Sequence, residues 1–248
     1  KRFLPVIISL AAMLMIGVRA LAQDDLIETS NPVPSEKMLD GLMMVHQDTN
    51  RCSAAALTIQ LSFFDEFELT YTDVTRRLNP YGGDVSVRIE EMATVAEENG
   101  LKAVVRRGGT IDLLKALIAN DFPVLIENVY FDGPNGWDDW MSHNRVAVGY
   151  NDALQTMYFF DPLLGNGQDG RGRPMSYEEV NSRWRAFNYD FLVAYSPEDE
   201  GRLVATLGPE YWDATLNAEL TLQMAEAELA GPNADSFALF NKGWALLQ

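Results

Sequence analysis

The chain has 248 residues, 47% of them hydrophobic and 22% charged, which are ordinary globular proportions with room for one well-buried domain and a smaller appendage. A formal net charge of −17 and a pI near 4.4 exclude a nucleic-acid partner, because a phosphate backbone is held by clustered Lys and Arg. The single cysteine, Cys52, excludes a disulfide within the chain; the sequence shows neither a His/Cys cluster of the kind that holds zinc nor a Gly-rich strand-to-helix loop for a nucleotide, so no metal or cofactor is expected.

The chain opens as an export signal. Lys1 and Arg2 supply a positive start, Leu4 to Val18 an apolar stretch, and Ala20-Leu21-Ala22 a small-x-small cleavage site. The apolar stretch is shorter than the ~20 residues of a spanning helix, and Arg19 interrupts its end. Cleavage near Ala22 is therefore expected, with a secreted or extracytoplasmic product that meets the membrane only through residues 1–22. Residues 23–38, with Asn31-Pro32-Val33-Pro34-Ser35, read as an extended linker into a domain spanning 39–197.

Within that domain, Ala55, Ala56, Ile59 and Phe63 show the spacing of a helix with one buried face over Ala54 to Phe64, capped by Asn50 or Thr49, with Cys52 on its first turn. Short helices follow over Thr72 to Leu78 and Arg88 to Asn99, the second stopped by Gly100. Leu101 to Arg106 is a strand, Thr110 caps a helix through Ala119, and Pro123 to Val129 is a buried strand. The loop Asp132 to Met141 carries Trp137 and Trp140, which either line a cleft or cover an apolar edge. Arg145 to Tyr150 and Met157 to Phe160 form a hairpin through Asn151-Asp152-Ala153. The Gly165 to Gly172 segment has too few acids for a calcium site and reads as a plain loop. A helix over Tyr177 to Arg183 and a strand over Phe191 to Tyr195 complete the domain.

From Pro197 the strand signal ends. Tyr211 to Ala230 and Phe237 to Gln248 are helical patterns separated by Gly231-Pro232-Asn233, which makes 198–248 an all-helical segment. Its run Asp235-Ser236-Phe237-Ala238-Leu239-Phe240-Asn241-Lys242-Gly243 resembles the opening of a tetratricopeptide repeat. Such units stack to bury their apolar faces, so the resemblance implies a surface for a protein partner.

The placement of Cys52 carries the chemistry. A thiol at a helix N-terminus feels unpaired backbone N–H groups, which favour the thiolate. Cysteine catalysis also needs an imidazole to take and return a proton, a carboxylate or amide to hold its tautomer, and donors for the oxyanion. His143 is the candidate base and acid. Asp161 follows the strand paired with that of His143, so the hairpin brings its carboxylate to the imidazole; Asp152 is the alternative orienter. Gln47, five residues before the cysteine, can aim its amide at the oxyanion together with the Cys52 N–H. His46 would point the other way in an extended segment and reads as structural.

Four motifs in this order, Gln47…Asn50-Arg51-Cys52-Ser53-Ala54-Ala55, Leu114-Lys115…Phe122-Pro123-Val124-Leu125-Ile126-Glu127, His143-Asn144-Arg145-Val146-Ala147-Val148-Gly149-Tyr150-Asn151-Asp152 and Phe160-Asp161-Pro162 before a Gly-rich loop, resemble the bacteriocin-processing, double-glycine leader peptidases of cysteine peptidase family 39 and, more closely, their secreted stand-alone relatives. The likeness runs from Met44 to about Tyr195. It implies an α+β papain-like fold, a peptide or protein substrate, and roles for Cys52 as nucleophile, His143 as base, Asp161 as orienting acid and Gln47 as oxyanion donor. The family usually has Gly-Pro after the nucleophile, where this chain has Ser53-Ala54. The resulting expectation is an exported cysteine peptidase followed by helical repeats. Its rival is a catalytically inactive module that binds a peptide in the same cleft.

Overall fold

In the computed structural model, residues 33–65, 68–129, 141–232 and 234–247 are described; the signal segment, most of the linker, Trp137 and Trp140 lie outside them. Among the described residues, seven antiparallel strands form one sheet. They are β1 (Glu36–Met38), β2 (Lys102–Arg106), β3 (Val124–Val129), β4 (Ser142–Asn151), β5 (Thr156–Phe160), β6 (Arg173–Ser176) and β7 (Phe191–Tyr195). The order is β2-β7-β3-β4-β5-β6, and β1 pairs with the far half of β4.

Helices cover both faces, which is why the central strands read as nearly unbroken apolar runs. All five residues of β7 are buried, and alternation divides them. Leu192 and Ala194 join the cluster under α1 (Cys52–Leu61), α2 (Tyr71–Leu78) and α3 (Ile89–Glu98). Phe191, Val193 and Tyr195 join the opposite cluster with Leu114 and Leu117 of α4 (Ile111–Ala119) and Trp184 of α5 (Tyr177–Trp184). Gly149 of β4 has a specific reason to be glycine: a Cβ there would stand 2.1 Å from the Met38 sulfur where β1 crosses.

The helix that starts at the cysteine differs from its sequence reading. Every residue from Ser53 to Leu61 is buried, so α1 is a central helix rather than one with a single buried face. Gln60 shows why a polar residue is accepted there: its amide donates to the carbonyls of Pro123 (3.0 Å) and Leu192 (2.8 Å) and pins the helix to the sheet. Neither Asn50 nor Thr49 caps α1. The N-cap is Arg51, with no side-chain cap, and Asn50 sits in the left-handed region at φ 56°. A tight turn closed by Arg51 N–H to Asp48 C=O (3.1 Å) takes the place of a capping side chain.

Three elements escape sequence reading. Residues 36–38, expected within the linker, form β1, and β6 pairs with β5 as an outer strand. The segment before Tyr211 holds a further helix, α6 (Glu200–Trp212), kinked at Gly208-Pro209. Helix α7 (Ala214–Ala230) consequently begins at an Asp213 cap, and α8 (Ser236–Ala245) follows. These helices pack on the sheet domain, since residues 33–248 form one compact unit. Leu203 and Leu207 of α6 enter the core with Leu117 and Phe122. Asn217 of α7 accepts from the Arg107 N–H (3.1 Å) and donates to its carbonyl (2.9 Å), while Arg185 pairs with Glu228 (3.0 Å) and Asp235 (2.8 Å). No helix among the described residues is long and apolar enough to cross a membrane.

Candidate active site

The uncapped start of α1 and the near end of β4 meet in a cleft of about 680 Å³ lined by Gln47, Cys52, Ser53, Val85, Val87, Glu127, Ser142, His143 and Leu163. Cys52 is half-buried, and no acidic residue occupies the first turn of its helix. Burial raises the thiol's pKa, but a hydrogen bond and the charge of His143, with further bonds from the backbone and side chain of Asn144, outweigh it and hold the thiol below its ordinary 9.0. The partner shifts the other way. Burial disfavours the imidazolium of His143, yet hydrogen bonds to Asp161 and Cys52 raise its pKa above the ordinary 6.5. A thiol pushed down and an imidazole pushed up favour a thiolate–imidazolium pair.

Strand pairing explains why Asp161 reaches His143. The β4–β5 register sets Val146 opposite Phe160, so Asp161 falls beside Arg145, and alternation puts Arg145 and His143 on one face. One carboxylate oxygen is 2.8 Å from His143 Nε2, and the other accepts from Arg145 Nε at 2.7 Å. The first oxygen also accepts from the backbone N–H groups of Leu163 (2.9 Å) and Leu164 (3.0 Å). Burial opposes ionisation of Asp161, but His143, Arg145 and the Leu164 N–H prevail and keep the carboxyl well below the usual range. With Nε2 held by Asp161, Nδ1 is the nitrogen left to face the thiol. Asp152, the alternative orienter, is engaged elsewhere, with Lys115 (2.7 Å) and the Tyr177 hydroxyl (2.8 Å).

Gln47 lines the same cleft, and its backbone N–H donates to the Pro162 carbonyl at 3.0 Å, which ties the glutamine segment to the loop after Asp161. Its amide oxygen is buried with no hydrogen-bond partner among the described residues. His46 is exposed. Ser53 and Ala54, which stand where the resembled family usually has Gly-Pro, are both buried, and α1 begins at Cys52 with that pair inside its first turn.

Two contributors escape sequence reasoning. Asn144 donates its amide to Cys52 Sγ (3.7 Å) and Ser53 Oγ (3.4 Å). Arg145, with its side chain 3% exposed, is the buried cation that holds the second oxygen of Asp161. Arg145 had a faint signal: it lies two residues from His143 in a strand otherwise apolar on that face. Asn144 had none, because its contact with α1 spans 92 residues of sequence.

A sequence profile of the Peptidase_C39 like family matches residues 31–190. No curated protein matches the chain in sequence. Among solved structures, the fold is similar to that of a putative C39-like peptidase from Bacillus anthracis, at 15% identity and a TM-score of 0.50 over 65% of this chain and 98% of that one. Xylellain, a cysteine protease from Xylella fastidiosa, is similar at 16% identity and a TM-score of 0.50 over 66% of this chain and 86% of that one. A double glycine motif protease from an AMS/PCAT transporter, crystallised with its leader peptide, aligns at 16% identity and a TM-score of 0.45 over 65% of this chain and 98% of that one.

Proposed function

The chain belongs to the Peptidase_C39 like family, a family of cysteine-type peptidases, and from that premise we propose that it is an exported enzyme that hydrolyses a peptide bond through Cys52, His143, Asp161 and Gln47. The observation that carries this reading is the unbroken chain of contacts from thiol to imidazole to carboxylate. In the proposed reaction the Cys52 thiolate attacks the scissile carbonyl carbon. The negative charge that develops on the carbonyl oxygen is met by the Cys52 backbone N–H and the Gln47 amide. His143, protonated at that point, gives its proton to the leaving amine, and the C–N bond breaks to leave an acyl-thioester. The imidazole then takes a proton from water as the water oxygen attacks the thioester carbonyl; the C–S bond breaks, the carboxylic acid product leaves, and the thiolate freed beside the imidazolium restores the ion pair. Asp161 holds the imidazole orientation throughout and stabilises its charged form.

Export rests on the Lys1–Ala22 pattern. The run from Asp235 to Gly243 supports a tetratricopeptide-type start after the domain; Leu239, Leu246 and Leu247 are exposed there, as a partner-binding repeat surface would require. As a substrate we propose a peptide segment of another protein lying along the cleft. The test is cleavage of an unstructured peptide library by the full chain beside Cys52→Ala, with iodoacetamide labelling of Cys52 in parallel. Cleavage by the parent chain and none by C52A is the expected result. A folded parent that cleaves nothing and alkylates no faster than free cysteine at pH 7 would overturn the reading.

A further inference from the structure

Behind Asp161, on the α5 face of the sheet, lies a second and smaller cavity of about 190 Å³ whose lining includes Arg145, Asp161, Arg173, Glu179 and Arg183. Strand register builds it. Ala147, Phe159 and Arg173 are successive cross-strand partners on β4, β5 and β6, so Arg173 shares the face of the two apolar residues. Arg145, two residues before Ala147, lies on that face as well. Glu179 and Arg183, one turn apart on α5, pair at 2.8 Å and complete the charged part of the lining.

Positive charge exceeds negative charge in this lining. Three guanidiniums face two carboxylates, and one of the two, Asp161, is shared with the His143 ring at 2.8 Å. The Arg173 side chain forms no ion pair among the described residues and donates only to the Leu164 carbonyl, at 3.2 Å. Arg145 supplies an independent sign. Its side chain is 3% exposed, and its Nε is committed to Asp161 at 2.7 Å. Its Nη1 has the Met175 sulfur at 3.7 Å and, with the Asn128 amide turned to its bonding orientation, the Asn128 oxygen at 3.0 Å. Its Nη2 has no acceptor among the described residues, which leaves a nearly buried charged donor unanswered at the cavity wall, a costly arrangement. Burial lowers the pKa of Arg145, Asp161 opposes that, and the charge of Arg183 lowers it further, as expected where guanidiniums are held close with too little negative charge between them.

We propose that this cavity binds a small tetrahedral oxyanion, free phosphate or sulfate, through Arg145 Nη2 with Arg173 and Arg183, and that the bound anion acts on Asp161 from behind. Planar guanidinium forks match the oxygens of such a group. The cavity is smaller than the ~300–1,000 Å³ typical of sites for larger ligands, which limits its occupant to a group of about this size. The chain's net charge of −17 repels anions at long range, where salt screens it, so capture depends on the guanidiniums at contact. An anion on Nη2 draws the charge of Arg145 away from Asp161. More of the carboxylate's charge then acts on His143, and the Cys52 thiolate is held more firmly. Binding goes beyond the peptidase reading and needs no hydrolysis; only the effect on Cys52 rests on the contacts from thiol to imidazole to carboxylate.

The test follows the melting temperature of the full chain and the rate of iodoacetamide labelling of Cys52 at pH 7, as sodium sulfate or phosphate is added against sodium chloride at matched ionic strength. Both oxyanions are expected to raise Tm saturably, by about 2–6 °C, and to speed labelling by about twofold or more. Arg173→Gln and Arg183→Gln are expected to remove both responses, each judged against the same variant without the anion, and Arg173→Lys, which keeps the charge, to retain part of them. A rise that never saturates and is equal in the parent and a folded R173Q is the general effect of excluded salts and would overturn the site, as would a response no larger than that to chloride. A saturable rise that is lost in R173Q while labelling stays unmoved in the parent supports the site and refutes its action on Asp161. Because melting reads binding without cleavage, a chain that hydrolyses no peptide still decides for or against the anion site.

Discussion

Arg145→Met removes the cation that donates to the second oxygen of Asp161, and its effects can be worked out on two axes. The guanidinium and carboxylate are 2.7 Å apart with side chains 3% and 2% exposed, so methionine leaves a carboxylate stranded without its counter-charge. Breaking one side of such a pair costs about 3–5 kcal/mol, which for a domain of this size lowers Tm by about 6–20 °C. The pH axis gives the direction independently. Asp161 is depressed in the folded state, so its contribution is present above the unfolded carboxyl pKa near ~3.9 and is lost as pH falls through the folded value. Without Arg145 the folded value rises, and acid unfolding moves to higher pH. His143 then faces a carboxylate that is less compensated, so its own pKa rises further, the Cys52 thiolate is held more firmly and rapid alkylation extends to lower pH. Thermal melts by circular dichroism from pH 3 to 8, with alkylation rates from pH 5 to 10, read both effects. A melting change under about 2 °C with an unmoved acid limb would refute the claim that Arg145 holds Asp161. So would strict additivity with Asp161→Asn, because contacting charges are expected to couple by about 0.5–3 kcal/mol.

His143→Ala should slow Cys52 alkylation at pH 7 and return its titration toward 9.0, the thiol's ordinary value, and should cost about 10²–10⁴ in kcat; an unchanged labelling profile would remove His143 from the pair. In the parent chain, Cys52 should alkylate faster at pH 7 than an ordinary thiol because its pKa lies below 9.0, and the stability contributed by His143, whose pKa is raised, should fade as pH rises through that raised value. Gln47→Ala should lower kcat by about 10²–10³ with little change in alkylation rate, and parallel losses in both would point to misplacement of Cys52 instead. Asn217→Ala orphans the N–H and C=O of Arg107 at once and should cost about 2–4 kcal/mol in a denaturant titration; a cost near zero would mean that α7 is not integral to the fold.

Local signals account for what could be read in advance. Thr110 caps α4 through Leu113 as its sequence position implies, and the Gly100 stop and the β4–β5 hairpin lie where breakers and alternation put them. The contact between His143 and Asp161 was legible for the same reason: a short hairpin converts sequence distance into register, and register into proximity. The cap of α1 was misread because capping preference assumes a helix that needs closing. Here the turn from Asp48 to Arg51 takes the place of a cap, and the N-cap Arg51 makes no side-chain cap hydrogen bond. Helix α6 was missed because Gly208 and Pro209 break its pattern inside the helix rather than at its end.

The residues that stayed hidden share a physical cause. Asn144, Arg145 and Glu127 act through partners on other strands and helices, and their meaning depends on which face of the sheet each presents, a fact that only the β3–β4–β5 register supplies. Read along the chain, Glu127 is an odd acid in the apolar run Val124-Leu125-Ile126, and Arg145 an odd base before Val146-Ala147-Val148. Charges set in apolar strands are too costly to be incidental. The register sends the base to the far face, where it pairs with Asp161 behind the imidazole, and the acid to the near face, where it lines the cleft with the Ser142 hydroxyl and Asp190 as its partners. Opposite charges on the two faces of one sheet edge are thus each accommodated by partners that strand register, not chain order, supplies.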